Sequence, residues 1–249
     1  MKTVWDYTDL AKAYFKRPNY SGAAIDAMLK ICDMKEGKYV CDIGAGVAHL
    51  SLELAARDLA VIAIEPNDAM RVLGEQRTKN LSNIEWYEGV GEDTRQPSHK
   101  FDLVTFGSSF NVCDAQLAIK ETARVLKPNG WFSCMFNNRQ LDDPIQSEIE
   151  HIIKARIRNY SYGTRRDDQS KIIESSGMFN SAIHISSSII HTQEIEACVE
   201  AWKSHATLAR QAGTAFEEIV NDIQAYLNGL SVKEIQIPYQ TNVWLAQIK

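Results

Sequence analysis

The stretch KYVCDIGAGVAHLSLELAARDLAVIAIEP, residues 38–66, limits the possible folds more than any other part of the chain. Residues 39–43 form a short apolar run, and Gly44-Ala45-Gly46 breaks it. Residues 47–57 then place Leu50, Leu54 and Ala55 on one helical face, and residues 61–64 form a second apolar run closed by Glu65. The pattern reads as strand, tight turn, helix, strand. Two parallel strands need a crossover, and a crossover helix covers one face of their sheet.

The same alternation continues. Strands are expected over residues 84–87, 101–106 and 131–136, and helices over 22–32, after a cap at Asn67-Asp68, and over 115–126. Lys127-Pro128-Asn129-Gly130 stops the last of these helices. After Asn137 the rhythm changes. Residues 138–177 hold two helical stretches around a polar, aromatic and arginine-rich middle. Residues 183–190 return to strand character, helices follow over 194–209 and 215–227, and EIQIPYQTNVWLAQIK alternates like an antiparallel strand. The expectation is an α/β fold: a Rossmann-like sheet, mostly parallel with an antiparallel terminal strand, plus a helical cap. Residues 1–137 form the core, 138–180 an inserted helical cap, and 181–249 the completion of the sheet with further cap helices, all as one structural domain.

Composition narrows the partners. A net charge of −5 over 249 residues argues against nucleic acid or an anionic membrane. No apolar run reaches the length of a membrane span, and no charged-then-apolar leader opens the chain. The five cysteines, Cys32, Cys41, Cys113, Cys134 and Cys198, are odd in number and lack a CxxC pair. They read as reduced thiols of a cytoplasmic protein, with no metal site among the cysteines and histidines. Oligomeric state stays open.

The glycine turn bears on the ligand. A βαβ unit of this kind with an acidic residue ending its second strand holds an adenosine-containing molecule, the carboxylate taking the ribose hydroxyls. A dinucleotide would require GxGxxG and a diphosphate against the turn. Here His49 occupies the third glycine position, and Asp42, two residues before Gly44, would repel a diphosphate. Asp42 suits a ligand with an ammonium group, which points to S-adenosylmethionine rather than to a dinucleotide oxidoreductase.

VCDIGAGVAHL (residues 40–50) resembles motif I of the class I S-adenosylmethionine-dependent methyltransferases of the small-molecule or peptide type, including the trans-aconitate methyltransferase-like group. AIEPNDAM, YEGVGEDT, FDLVTFGSSFNVCD and ETARVLKPNGWF resemble the later motifs of the family in order, so the resemblance spans roughly residues 7–136. It implies S-adenosyl-L-methionine as cofactor and S-adenosyl-L-homocysteine as product. Gly44, Ala45 and Gly46 would face the methionine part, Glu65 the ribose, and Pro66 and Met70 the adenine. Gly91, Glu92 and Asp93 would lie along the adenine edge, and Gly107, Ser108 and Ser109 near the sulfonium. FKRPNY resembles an N-terminal motif whose tyrosine, here Tyr20, closes over the cofactor, with Arg17 meeting its carboxylate. Relatives often carry His-Trp where this chain has Asn111-Val112, which weakens any general-base role there.

For the acceptor, residues 152–173 hold six basic residues against Asp167 and Asp168, with Tyr160 and Tyr162 interleaved. Arg165 and Arg166 sit where the resemblance implies the acceptor wall, together with Phe110, Asn111, Tyr160 and Tyr162. Guanidinium groups suit bidentate capture of a carboxylate. The favoured reading is O-methylation of a carboxylate on a small acid or a peptide C-terminus, giving a methyl ester. Such an acceptor is already ionised at neutral pH and needs no base. The catalytic candidates are His205 and Asn111, and His205 reads first as a packed or capping residue. An N-, C- or hydroxyl-O-methyltransferase of a small natural product is the alternative, and a non-catalytic S-adenosylmethionine-binding protein a more distant one.

Overall fold

The computed structural model describes residues 8–249. Residues 1–7, including the Tyr7 end of the resemblance and of the expected core, lie outside the described residues. The strands are β1 Tyr39–Ile43, β2 Ala60–Ile64, β3 Ile84–Tyr87, β4 Phe101–Gly107, β5 Leu126–Arg139, β6 Ile183–Glu194 and β7 Glu234–Gln247. They form one sheet in the order β3-β2-β1-β4-β5-β7-β6. Strands β1 to β5 are mutually parallel, and β7 runs antiparallel to both β5 and β6. The chain leaves β1 toward β2 and β3, then returns to β4 on its other side. A crevice opens where that direction switches, beyond the carboxyl ends of β1 and β4, and that is where open α/β sheets hold ligands.

The helices are α1 Ala11–Tyr14, α2 Gly22–Ile31, α3 His49–Ala55, α4 Asp68–Thr78, α5 Ala115–Val125, α6 Pro144–Arg156, α7 Ser170–Glu174, α8 Ile195–Lys203, α9 Ala206–Ala212 and α10 Phe216–Gly229. On one face of the sheet, Ile25 and Met28 of α2 and Leu54 of α3 pack against Val40 and Leu103. On the other, α5 contributes Ala118 and Ile119 to a cluster holding Phe106, Phe110, Phe132 and Phe179. A third apolar cluster joins α6, α8, α9 and α10 through Ile153, Trp202, Leu208, Ile219 and Ile223, and rests on Ile235, Ile237 and Tyr239 of β7. This cap stands over the carboxyl end of β5.

Four boundaries differ from expectation, each for a local reason. Helix α3 begins at His49 because Ala48 takes a left-handed conformation, φ 72°. Strand β5 starts at Leu126, which pairs with Phe101, and the Lys127–Gly130 turn is absorbed as a register shift inside the strand. It also runs on to Arg139, paired with Tyr239, so a core boundary at residue 137 would cut the strand. The single helix expected over 194–209 is two. Pairing with β7 carries β6 to Glu194, and the His205 ring starts a new helix by accepting from the Leu208 N–H at 3.3 Å.

Candidate active site

The glycine turn is fastened to the end of β2. The N–H groups of Gly44 and Ala45 both donate to the Ile64 carbonyl, at 2.8 and 3.1 Å. Gly46 N–H donates to Glu65 Oε2 at 2.9 Å, and Asn67 N–H to Glu65 Oε1 at 2.8 Å. Gly44 has φ +69°, and a Cβ there would lie 2.4 Å from Ser109 Cβ. Both the left-handed backbone and the contact between turn and β4 loop demand glycine. Burial pushes the Glu65 carboxyl up to about 7, against the pull of its two N–H donors.

Asp42 also has structural partners. It is fully buried, and its carboxylate accepts from Ser51 Oγ at 2.6 Å and Thr105 Oγ1 at 3.0 Å. Burial raises its pKa to about 6. The carboxylate lines the crevice, yet it also ties β1 to α3 and β4, a structural task the strand-end position did not reveal.

These groups border a cavity of about 510 Å³. Gly44, Ala45, Gly46, Glu65, Pro66, Met70, Gly91 and Glu92 form one part of its wall, and Gly107, Ser108 and Ser109 continue it at the end of β4. Tyr20 reaches across, its hydroxyl donating to Ser108 Oγ at 2.9 Å. Arg17, Arg139, Arg165, His205 and Tyr239 supply wall from the amino-terminal segment, β5, the 3-10 turn Gly163–Arg166, the α8–α9 junction and β7. The size is that of a small-molecule site.

Fourteen of the fifteen expected cofactor residues therefore lie on this wall. Asp93 does not: it is exposed and accepts from the Arg95 N–H. The acceptor set fares differently. Phe110 is buried in the sheet core, 5.3 Å from the Phe106 ring and 5.4 Å from that of Phe132. Asn111 occupies the 3-10 turn Phe110–Val112, whose Val112 lines the cavity instead. Tyr160 and Tyr162 pack edge to face in the cap, 5.0 Å apart, and the Tyr162 hydroxyl donates to Glu150. Arg166 stacks over the Tyr162 ring and donates to the Arg139 carbonyl. Of this set only Arg165 is on the cavity wall. The polar, aromatic middle of the insert builds the cap's interior, which its composition alone did not distinguish from a pocket lining.

His205 is buried, caps α9 and stacks on Trp202 at 5.3 Å. Burial and the three nearby arginines hold its pKa well below the usual histidine value, so it is neutral. His49 is tied to the Tyr14 carbonyl at 2.9 Å and to Asn19 Oδ1 at 3.1 Å, and burial depresses it to about 4. Arg17 donates to Ser204 Oγ and the Ser204 carbonyl, at 3.1 and 2.8 Å, fastening the amino-terminal segment to the cap. Sequence reasoning missed Arg139 and Tyr239. The polar run Asn137-Asn138-Arg139, continuing an apolar strand past its core length, was the available signal. Among the described residues, no group of three or more His, Cys, Asp or Glu side chains could hold a metal ion, and no helix is long and apolar enough to cross a membrane.

Comparison with known proteins agrees with this geometry. Residues 41–134 match the family model described as a methyltransferase domain. A demethylmenaquinone methyltransferase of Staphylococcus carnosus is 33% identical over 112 residues, which are 43% of this chain and 46% of that protein. The uncharacterized methyltransferase YcgJ of Bacillus subtilis is 26% identical over 139 residues, 54% of each chain. The chain thus spans about half the length of the curated relatives it matches. The crystal structure of YcgJ superposes with a TM-score of 0.59 at 17% identity, covering 92% of this chain and 99% of that one. A putative type II methyltransferase from Anaeromyxobacter dehalogenans gives 0.65 at 15% identity, covering 93% and 97%. Residues 41–134 thus resemble a methyltransferase domain, and the sheet around them is the fold that these solved structures share.

Proposed function

We propose that the protein transfers the methyl group of S-adenosylmethionine to a small-molecule or short-peptide acceptor enclosed in the cavity, and that the acceptor atom is a carboxylate oxygen. One observation carries the reading: a single cavity is acidic at the glycine turn and basic beneath the cap. Asp42, Glu65 and Glu92 lie on one part of its wall, and Arg17, Arg139 and Arg165 on another. The first set suits an adenosine ribose and an ammonium group; the second suits an anion.

The chemistry asks little of the side chains. A carboxylate lone pair attacks the methyl carbon, the carbon–sulfur bond breaks, and its electron pair returns to sulfur. The products are S-adenosylhomocysteine and a methyl ester, and no proton moves. Alignment and exclusion of water then supply most of the rate. The cap and the Tyr20–Ser108 contact serve both. His205, neutral and occupied as a cap, is not required as a base.

The names of the relatives support a second reading, C-methylation of a quinol-like ring. The family match ends at residue 134, before Arg139, Arg165 and His205, so it bears on the cofactor half and not on the acceptor wall. Incubation with methyl-labelled S-adenosylmethionine and a panel of acids, phenols, quinols, amines and short peptides separates the readings. Base-labile label on acids is the expected result. Label on a quinol carbon would establish the second reading, and cofactor binding with no turnover on any class would leave a binding protein.

A further inference from the structure

The sheet ends in two unlike edges. Strand β3 is four residues long and turns the charge of Glu85 to solvent, an ordinary protection of an edge. Strand β6 has no such protection. It runs twelve residues, pairs with β7 in one unbroken register, and from Ile183 to Gln193 carries no Asp, Glu, Lys, Arg or Pro. Among the described residues, no strand pairs with its outer side. The direction of its backbone groups follows from the ladders. The Ile195 N–H donates to the Lys233 carbonyl at 3.1 Å, in step with the β6–β7 register, and the Gln140 N–H donates to the Pro238 carbonyl at 2.9 Å, in step with β5–β7. Odd-numbered residues of β6 therefore turn their backbone groups to β7, while His184, Ser186, Ser188 and Ile190 turn theirs to the open edge. All four are exposed, Ile190 by 61%.

The sequence of that edge reads nearly the same in both directions about Ser187. Ser186 and Ser188 flank it, Ile185 and Ile189 come next, and then His184 with Ile190 and Ile183 with His191 each set one histidine against one isoleucine. A second copy of this strand, laid antiparallel with the twofold axis at Ser187, meets its own complement. Ser186 then faces Ser188, and His184 faces Ile190, as hydrogen-bonded pairs, since those residues point their backbones outward. Ile185 opposes Ile189, and Ser187 opposes itself, in the closer pairs between them. We propose that β6 is the edge through which two copies of this chain associate, antiparallel, so that one sheet continues into the other. Ile185 packs against the cluster that holds α2, and Ile189 against the cap cluster. The pairing thus sets α2 of one copy beside the cap of the other. That second contact matters because a stable interface buries roughly 1,200–2,000 Å², more than one pair of strands offers. No β6 residue lines the main cavity, so the association is separable from ligand binding.

The test is the mass of the full chain in solution. Analytical ultracentrifugation up to about 100 µM, far above a micromolar dissociation constant, should give twice the chain mass. The Ser188 N–H points to the open edge, so Ser188→Pro spares the β6–β7 ladder and removes two symmetry-related bonds of the interface. It should weaken association by at least about tenfold, the scale of two ordinary hydrogen bonds. If that variant does not fold, Ile190→Lys carries the same expectation by placing a charge on the edge. Mild oxidation reads the register. Ser187→Cys sets two thiols across the axis with Cα atoms about 4.5 Å apart and should give a covalent dimer. Ser186→Cys faces Ser188 and should not, and the parent, whose cysteines are buried or half-buried, is the control. A dimer that survives undiminished in the folded edge variant overturns the proposal, as does cross-linking of Ser186→Cys in place of Ser187→Cys. A parent that stays monomeric also overturns it and leaves the edge to a strand of another protein.

Discussion

Arg165 and Arg166 are consecutive in the chain, yet their guanidinium groups part company. Arg165 reaches the Asn137 carbonyl and lines the main cavity, while Arg166 reaches the Arg139 carbonyl and lies 4.4 Å over the Tyr162 ring, beside Asp168 and Trp244. Both grip β5, two residues apart, from different sides of the turn.

The pair therefore separates by mutation. Arg165→Lys should raise the acceptor KM by about ten- to a hundredfold, corresponding to ~1.5–3 kcal/mol for a hydrogen bond to a charged group. Cofactor affinity should hardly change. Arg166→Lys should leave KM within about twofold and lower stability by roughly 1 kcal/mol through lost stacking and a lost carbonyl contact. Steady-state kinetics and a denaturant melt of each variant check this, and equal KM values for the two would remove Arg165 from the acceptor site.

Asp42 and Glu65 should differ as well. Glu65→Gln keeps the shape and removes the charged acceptor, so S-adenosylmethionine binding should weaken by roughly 1.5–3 kcal/mol in a folded protein. Asp42→Ala leaves Ser51 and Thr105 hydroxyls unpaired in the core, so it should lose about 1–3 kcal/mol of stability as well as affinity. Calorimetry paired with thermal unfolding distinguishes them. Unchanged affinity in both variants would displace the cofactor from this end of the cavity.

Cofactor binding should depend on pH with a definite sign. Glu65 and Asp42 have folded pKa values raised to about 7 and about 6, so the free protein holds protons on them that the unfolded chain has released. Their effect on stability is most favourable in acid and is lost as pH rises from about 4 through 7. Binding of ribose hydroxyls and an ammonium group favours the ionised forms. Affinity should therefore rise from pH 5.5 to 8 with proton release near pH 6.5, seen as a buffer-dependent binding enthalpy. Glu65→Gln should lose most of that release; proton uptake on binding would contradict the assignment.

His205 should prove dispensable for chemistry. His205→Ala removes the cap of α9 and should lower stability by about 0.5–2 kcal/mol, whereas His205→Asn restores a capping acceptor. In both, turnover should persist and the pH profile should stay flat above the acceptor's own pKa. A loss of about a thousandfold in a folded Asn variant would signal base catalysis and a hydroxyl or carbon acceptor.

The two glycines of the turn predict different failures. Gly44→Ala drives a methyl into Ser109 and should disrupt folding of the turn. At Gly46 a Cβ meets no described atom within 4 Å, although φ is +57°. Gly46→Ala should fold at a cost of roughly 1 kcal/mol and lose cofactor affinity, since the methyl enters ligand space. Circular dichroism alongside calorimetry reads both.

The glycine-turn part of the cavity wall was legible in the sequence because its constraints are local. The positions of Gly44, Gly46 and Glu65 follow from a strand, a turn and a second strand close together in the chain. Strand limits at residues 39–43 and 84–87 matched for the same reason. The arginine-lined wall is assembled from distant segments: Arg17 meets Ser204, and Arg139 meets Trp202 and Tyr239. Nothing near residue 139 announces a tryptophan more than sixty residues later. The insert misled in a specific way, since Tyr160, Tyr162 and Arg166 have the composition of a binding wall while packing the cap against itself.

The opposite charges at the two parts of the cavity wall carry a kinetic consequence. In the proposed reaction, sulfonium and carboxylate would enter as a cation and an anion and leave as a thioether and an ester, so the transfer would extinguish one charge of each sign. The acidic residues would keep the ribose and ammonium of the spent cofactor, while the basic residues would face an ester that no longer answers them. The substrates draw each other in, and turnover itself dissolves that attraction. In such a cavity the ester, rather than the spent cofactor, would be the first product to loosen.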